Sequence, residues 1–393
     1  MRTVSLFLLA TSLLFGLSEE VPSPLAGKYM TGNWDGWRDR FEERGVVFTS
    51  SFITELVGNP TGGRAQGFTY TGSYGLELDV DFDKACGWKG FGFFTSMAWR
   101  TGSSLTAEKI GNQFPVQEIF GGQTVKLNEL YFKESLFDGW LFFKTGRMNP
   151  GNDFLVSPLY CNFLNLAFCG NPVSILYNTA FTVYPFAEWG AYLHFKPHEM
   201  LLVKGAVYNA NTEILKNKYH GVNFTFNSTN GVIWIAEANF LINQKAGDRY
   251  PGSYRAGFFY QTANTVIFSG GLGGDPGYYF QIDQMIYKGV TPFMAMVFQP
   301  KDRNLLPLFI SGGVVFKGMW GRPADAISAA LAYGRFSPDL GTGQDFETVI
   351  EANYWYQATR WLSIVPDLQY IIHPKGTDTP NAFCLGLQME FTL

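Results

Sequence analysis

Eleven charged residues share one parity of alternating segments and are the ones best placed to act on a solute: Glu55, Arg100, Glu129, Lys133, Lys144, Glu188, Lys204, Glu237, Arg255, Glu347 and Glu351. Guanidinium and ammonium groups beside carboxylates suit hydroxyls, which both donate and accept hydrogen bonds. Rings of such groups also set the selectivity of a pore. The plain alternative, for any one of them, is that it keeps a wide lumen wet. Covalent chemistry finds less support. The histidines are His194, His198, His220 and His373. His194 and His198 stand four apart, a metal spacing on a helix, but they straddle a strand end and a Lys-Pro turn. No G-x-S-x-G elbow and no phosphate-cradling glycine loop occurs in the sequence. No catalytic residue, metal or cofactor is expected.

Four cysteines remain, Cys86, Cys161, Cys169 and Cys384. An exported chain can hold disulfides. Cys161 and Cys169 share one long connection, so a local bridge is feasible, with two free thiols as the alternative. Cys86 falls in a short turn at one end of the strands and Cys384 begins the last strand at the other. A strand of about ten residues separates those ends, beyond the reach of a disulfide.

The charged parity belongs to strands. In "YTGSYGLELDVD", Tyr70, Gly72, Tyr74, Leu76, Leu78 and Val80 form one face. Thr71, Ser73, Gly75, Glu77, Asp79 and Asp81 form the other, since side chains alternate along a strand. The pattern recurs at 47–57, 70–81, 91–100, 125–134, 140–148, 181–195, 200–209, 231–240, 254–262, 277–287, 292–299, 307–317, 326–335, 346–357, 362–372 and 382–393. Sixteen strands result, joined alternately by short turns and by long links at 101–123, 149–180 and 209–230. Before them, Trp37, Phe41 and Arg44 share a helical face that Gly45 ends.

Composition says which side faces what. Charged residues make up 16% of the 393, aromatics 17%, with 37 Phe and 44 Gly. That is poor in charge for a water-facing globule and suits lipid-facing strands with aromatic girdles. Residues 1–18 carry Arg2, an apolar run and small residues at Gly16 and Ser18, which reads as a cleaved signal peptide. Beyond it 33 acidic residues outnumber the basic ones, and no basic cluster points to nucleic acid. The expected division is 1–18 signal peptide, 19–45 periplasmic leader with a short helix, and 46–393 barrel. The expected fold is all-β, a sixteen-stranded antiparallel transmembrane barrel in the outer membrane. A closed sheet is the β architecture that hydrocarbon tolerates. A secreted soluble β-protein is the rival reading.

Several segments resemble the carbohydrate-selective porins of the OprB family. They are "TGNWDGWRDRFEERGV", "KTGRMNPGNDF", "YCNFLNLAFCGNP", "YPFAEWGAYLHFKP", "KGAVYNAN", "YPGSYRAGFFY", "GRPADAISAALAYGRF" and "ETVIEANYWYQATRWLSIVPDLQYIIHPKG". The resemblance implies a Gram-negative outer-membrane pore of sixteen strands for passive uptake of small sugars. It also implies contact with outer-membrane lipid, assembly by the barrel-insertion machinery, and leaves a homo-oligomer open. Outer-membrane barrels commonly end in an aromatic residue, whereas Phe391 is followed here by Thr392 and Leu393. The pattern "TGRMNP" brings Arg147 into the candidate site.

The connection at 149–180 is nearly uncharged after Asp153 and rich in Phe, Leu and Asn. It is expected to fold into the barrel and form the constriction, because a loop of that composition is ill-suited to water. Tyr160 and Phe163 would offer stacking surface, with Arg100, Arg147 and Asp153 gripping hydroxyls. The candidate pathway is therefore Arg100, Glu129, Arg147, Asp153, Tyr160, Phe163, Glu188, Lys204, Glu237, Arg255 and Glu351. The function expected is carbohydrate-selective diffusion. A general or anion-preferring porin is the runner-up, and an outer-membrane enzyme or adhesin the third reading.

Overall fold

Alternation of apolar and polar residues lets a sheet close on itself with lipid outside and water inside, and this chain does so. The computed structural model describes residues 27–245 and 247–393; the signal peptide expected at 1–18 lies outside them. The strands are β1 (Val46–Thr61), β2 (Gly67–Asp81), β3 (Phe91–Gly102), β4 (Thr124–Leu136), β5 (Leu141–Met148), β6 (Glu188–His198), β7 (Leu201–Asn209) and β8 (Val232–Ile242). They continue with β9 (Gly252–Val266), β10 (Leu272–Gln284), β11 (Val290–Phe298), β12 (Leu308–Lys317), β13 (Ala326–Arg335), β14 (Phe346–Gln357), β15 (Leu362–Ile372) and β16 (Ala382–Thr392). Each pairs antiparallel with its sequence neighbours, and β1 pairs with β16, closing the barrel. No described helix is long and apolar enough to cross a membrane.

Facing follows the pleat. Phe68 and Tyr70 are exposed on the outer wall, whereas Thr69, Thr71 and Ser73 are buried inside. Leu385 and Leu387 are exposed outward on β16, whereas Cys384 and Gln388 are buried inward. Asp81, expected to face the lumen, instead ends β2 and caps the short helix α2 (Phe82–Cys86), its carboxylate accepting from the Asp83 amide at 2.9 Å. The largest boundary shift is at β6, which starts at Glu188, seven residues after the expected 181; the next is at β10, which starts at Leu272, five residues before the expected 277. Its Gly-Gly-Asp-Pro stretch looks like a turn, but the strand absorbs it through a register shift between Gly273 and Asp275.

The amino-terminal helix α1 (Trp37–Glu43) lies at the short-turn end, against the barrel seam. Its Phe41 packs edge-on to Phe48 of β1, with ring centroids 5.5 Å apart. Arg38 donates to the Leu393 carbonyl at 2.8 Å, so the helix grips the end of β16.

The hydrophobic core sits inside the barrel. On β11, β12 and β13 most inward side chains are themselves apolar, Phe293, Ala295, Val297, Phe309, Val315, Ala330 and Ala332, with Ser311 and Ser328 among them. Against this sector pack the loops at 103–123 and 149–187, through Phe114 on Phe309 and Phe163 on Phe293, with Phe168 behind Phe163, while Phe154 packs on Tyr192 of β6. Gly334 makes room for one of them, since a Cβ there would stand 2.4 Å from the tip of the Phe114 ring. Burying a Phe contributes roughly 1.5–3 kcal/mol, so these contacts hold both loops in place.

Candidate functional site

Two loops in the lumen expose backbone N–H groups that need acceptors, and the wall carboxylates supply them. Glu351 on β14 accepts from the amides of Leu164 at 2.6 Å and Asn165 at 3.0 Å. Glu347, four residues earlier on the same face of β14, accepts from Gln113 at 2.6 Å and Phe114 at 2.7 Å. Glu129 on β4 accepts from the Asn149 amide at 3.0 Å and the Asn152 side chain at 2.9 Å. All three are buried. These carboxylates staple the loops to the wall.

A second set of lumen charges is consumed in ion pairs around residues 153–160. Lys144 meets Asp153 at 2.6 Å, and Lys204 meets Glu237 at 2.7 Å while donating to the Asp153 carbonyl at 2.7 Å. Tyr279 donates to Glu237 at 2.8 Å. Arg255 meets Asp283 at 2.8 Å, and Ser157 donates to the same carboxylate at 2.9 Å. Buried charges must be paired, and here each pair also fixes the loop. Lys133 and Asp79, 2.6 Å apart, remain half-buried nearer the short-turn end.

Four expectations change. Tyr160 and Phe163 do not offer free stacking faces: they are 2% and 1% exposed, packed against Phe293 with centroids 5.7 and 5.6 Å away. Their rings fill the seam between loop and apolar wall. Arg147 does not face the lumen. It pairs in register with Leu130 and Trp189, on the opposite parity from Lys144 and Tyr192, so it points outward. It is 2% exposed and donates to the carbonyls of Gly221 and Ala187. Glu188 points inward but is fully buried, with both carboxylate oxygens lacking a hydrogen-bond partner and Arg147 as its charge neighbour. Neither can grip a hydroxyl. Cys161 and Cys169 are free thiols, not bridged, with their side chains close neighbours.

The side chains that keep partial exposure gather beside β1, β2 and β3, against an Arg100 that is itself buried. Arg100 donates to the Ile119 carbonyl, and its guanidinium lies 5.1 Å from the Tyr184 ring. The hydroxyl of Tyr184 has Arg100, Glu77, Glu129 and Glu118 as its charged neighbours. Glu118 in turn feels Arg100 and Glu390. Tyr184, Glu77, Glu118 and Glu390 keep partial exposure inside the barrel. Gly75 lets the tyrosine approach: a Cβ there would meet the Tyr184 hydroxyl at 3.2 Å and Ser51 Oγ at 3.3 Å. Burial pushes the Glu118 carboxyl up to about 7, with Arg100 opposing that shift. The arrangement sets an aromatic face beside an arginine and three carboxylates.

The family comparison decides the class. A model of the carbohydrate-selective porin family OprB matches residues 65–393. The chain belongs to the OprB family of carbohydrate-selective porins. Porin B of Pseudomonas aeruginosa is 28% identical over 92% of this chain and 91% of its own. The high-pH structure of Pseudomonas putida OprB superposes with a TM-score of 0.87 at 27% identity, covering 94% of this chain and 99% of that one. A mutant of Rh. blastica porin shares the fold, with a TM-score of 0.55 at 10% identity, over 88% of this chain and all of that one. The porin is thus a passive outer-membrane channel for sugars and not an enzyme.

Glu118 is absent from the residues picked out by parity because it lies on a loop; Tyr184 falls within the expected 181–195 strand, whereas the structure leaves it in the loop before β6. A Tyr-Pro step and a lone acid within "FPVQEIFGG" are weak signals for them.

Proposed function

We propose that sugars cross this porin through the part of the lumen that the two inserted loops leave open, past Arg100, Glu118, Tyr184 and Glu77. The observation that carries this reading is the Tyr184 ring held 5.1 Å from the Arg100 guanidinium and flanked by carboxylates. A pyranose has an apolar C–H face, which suits an aromatic ring, and hydroxyls that exchange bonds with carboxylate and guanidinium. Glu129, Glu347 and Glu351 act indirectly, by holding the loops, and Asp153, Lys204, Glu237 and Arg255 do the same from the other side. Tyr160 and Phe163 support the loop from beneath. Solute contacts must stay weak enough for release, as conduction requires. A cleaved signal peptide at 1–18 would route the chain to the barrel-insertion machinery.

Single-channel recording with added mono- or disaccharide tests the station. Sugar should reduce the wild-type current, and Tyr184→Ala should weaken that block several-fold while leaving an intact barrel. Block of equal strength in Tyr184→Ala and Glu118→Gln would place the sugar contacts elsewhere.

A further inference from the structure

The loop at 210–231 first crosses the rim, where the Leu215 carbonyl accepts from inward-facing Lys126 at 2.7 Å, and from His220 on it lies against the outside of the wall. Strand β5 is only eight residues long and stops at Met148, so the upper part of β4 lacks a strand neighbour on that side. Residue His220 fills the gap. Its carbonyl accepts from the Leu127 amide at 3.0 Å, and its Nδ1 lies 2.9 Å from the Val125 carbonyl. The next residues cover Arg147, whose outward guanidinium donates to Gly221 and lies 5.6 Å from the Phe224 ring. Phe224 also meets outward-facing Trp189, with centroids 6.2 Å apart. An arginine on this face would otherwise meet hydrocarbon, which is costly.

The far side of this cover is apolar and bare. Val222, Phe224 and Phe226 are 59%, 46% and 63% exposed. They continue the lipid-facing wall upward from Trp189 without a break in chemistry. On the preceding turn, Lys216 and Lys218 are exposed and share the single carboxylate of Glu213, leaving one net positive charge. We propose that residues 216–226 form a lipid-binding flap at the outer-leaflet interface. Val222, Phe224 and Phe226 meet acyl chains, and Lys216 and Lys218 meet an anionic headgroup above them. Apolar side chains below and lysines above is the arrangement that an interfacial segment needs.

Spin labelling of the full-length porin tests this. Cys86, Cys161 and Cys169 are replaced by Ser, and a nitroxide is attached at Phe226→Cys or, separately, Val222→Cys. Heat-modifiable migration confirms a folded barrel, and two positions guard against failure of one. In phosphatidylcholine vesicles, oxygen should relax both labels more than a water-soluble nickel chelate does, matching a lipid control at Leu385→Cys. Relaxation dominated by the chelate, as at a water control on Thr342→Cys, would overturn the proposal. So would dipolar broadening that vanishes on dilution with unlabelled porin, which would mark a contact between copies. Adding phosphatidylglycerol should draw the label at 226 deeper, and Lys216→Gln with Lys218→Gln should abolish that response. Absence of any response in the parent would refute the headgroup contact.

Discussion

A carboxylate on the lumen parity and a leucine one step away occupy different solvents, and their substitutions should differ accordingly. Arg in place of Leu76 places a charge toward lipid at a cost of roughly 2–4 kcal/mol at the midplane, so Leu76→Arg should reduce the folded, heat-modifiable fraction in vesicles. Glu77→Gln should assemble normally; equal loss in both would refute the facing of β2. Glu118 carries a pH signature. Burial raises its carboxyl from 4.5 to about 7, so it is charged above that value and neutral below it. As pH falls through about 7, Arg100 loses its opposing charge, and the zero-current potential in a salt gradient should move toward anions. Glu118→Gln should lack that swing near 7, and an unchanged swing would remove Glu118 from the pathway. Parity located the lumen carboxylates but not their work. Glu347 and Glu351 read as solute contacts and turn out to cap loop amides, because the loop fold that brings Leu164 to Glu351 leaves no trace in local spacing. Arg147 failed for a plainer reason: it sits near a strand end, where only register with Leu130 and Trp189 settles its side.

Strands were the legible elements. Period-two alternation is local, so β13, β14 and β15 fall where the pattern places them. The inserted loops were half legible. Uncharged composition at 149–180 pointed inward, and the buried Phe154, Phe163 and Phe168 agree. A signal for the docking face went unread in "TPFMAMVF", "FISGGVVF" and "AISAALAYG", which are largely apolar on both parities. A strand greasy on both sides needs cover on both, and inside this barrel the loops provide it. Shortening 159–170 should therefore raise conductance and weaken sugar block together. Replacing Glu351 with Ala leaves two amides without acceptors, a loss of about 1.5–3 kcal/mol for each charged hydrogen bond. It should give noisier, partly larger currents from an intact barrel. Unchanged conductance in both variants would show that the constriction is not loop-built.

For the barrel as a unit, closure between β1 and β16 pairs the two terminal strands, and the loops inserted at 103–123 and 149–187 narrow a wide lumen by bonding to strands around its wall. Composition announced the membrane barrel, since low charge and abundant aromatics have few other uses in an alternating chain. It could not announce how the loops fill the lumen, which arises from contacts between residues far apart in sequence. The passage that the loops leave open should favour carbohydrate over other neutral solutes of like size. Swelling of porin-bearing liposomes in iso-osmotic glucose, compared with a neutral dipeptide of similar size, measures it directly. Faster swelling in glucose, with the advantage lost in Tyr184→Ala, is the predicted result; equal rates for both solutes in the wild-type porin would contradict the account.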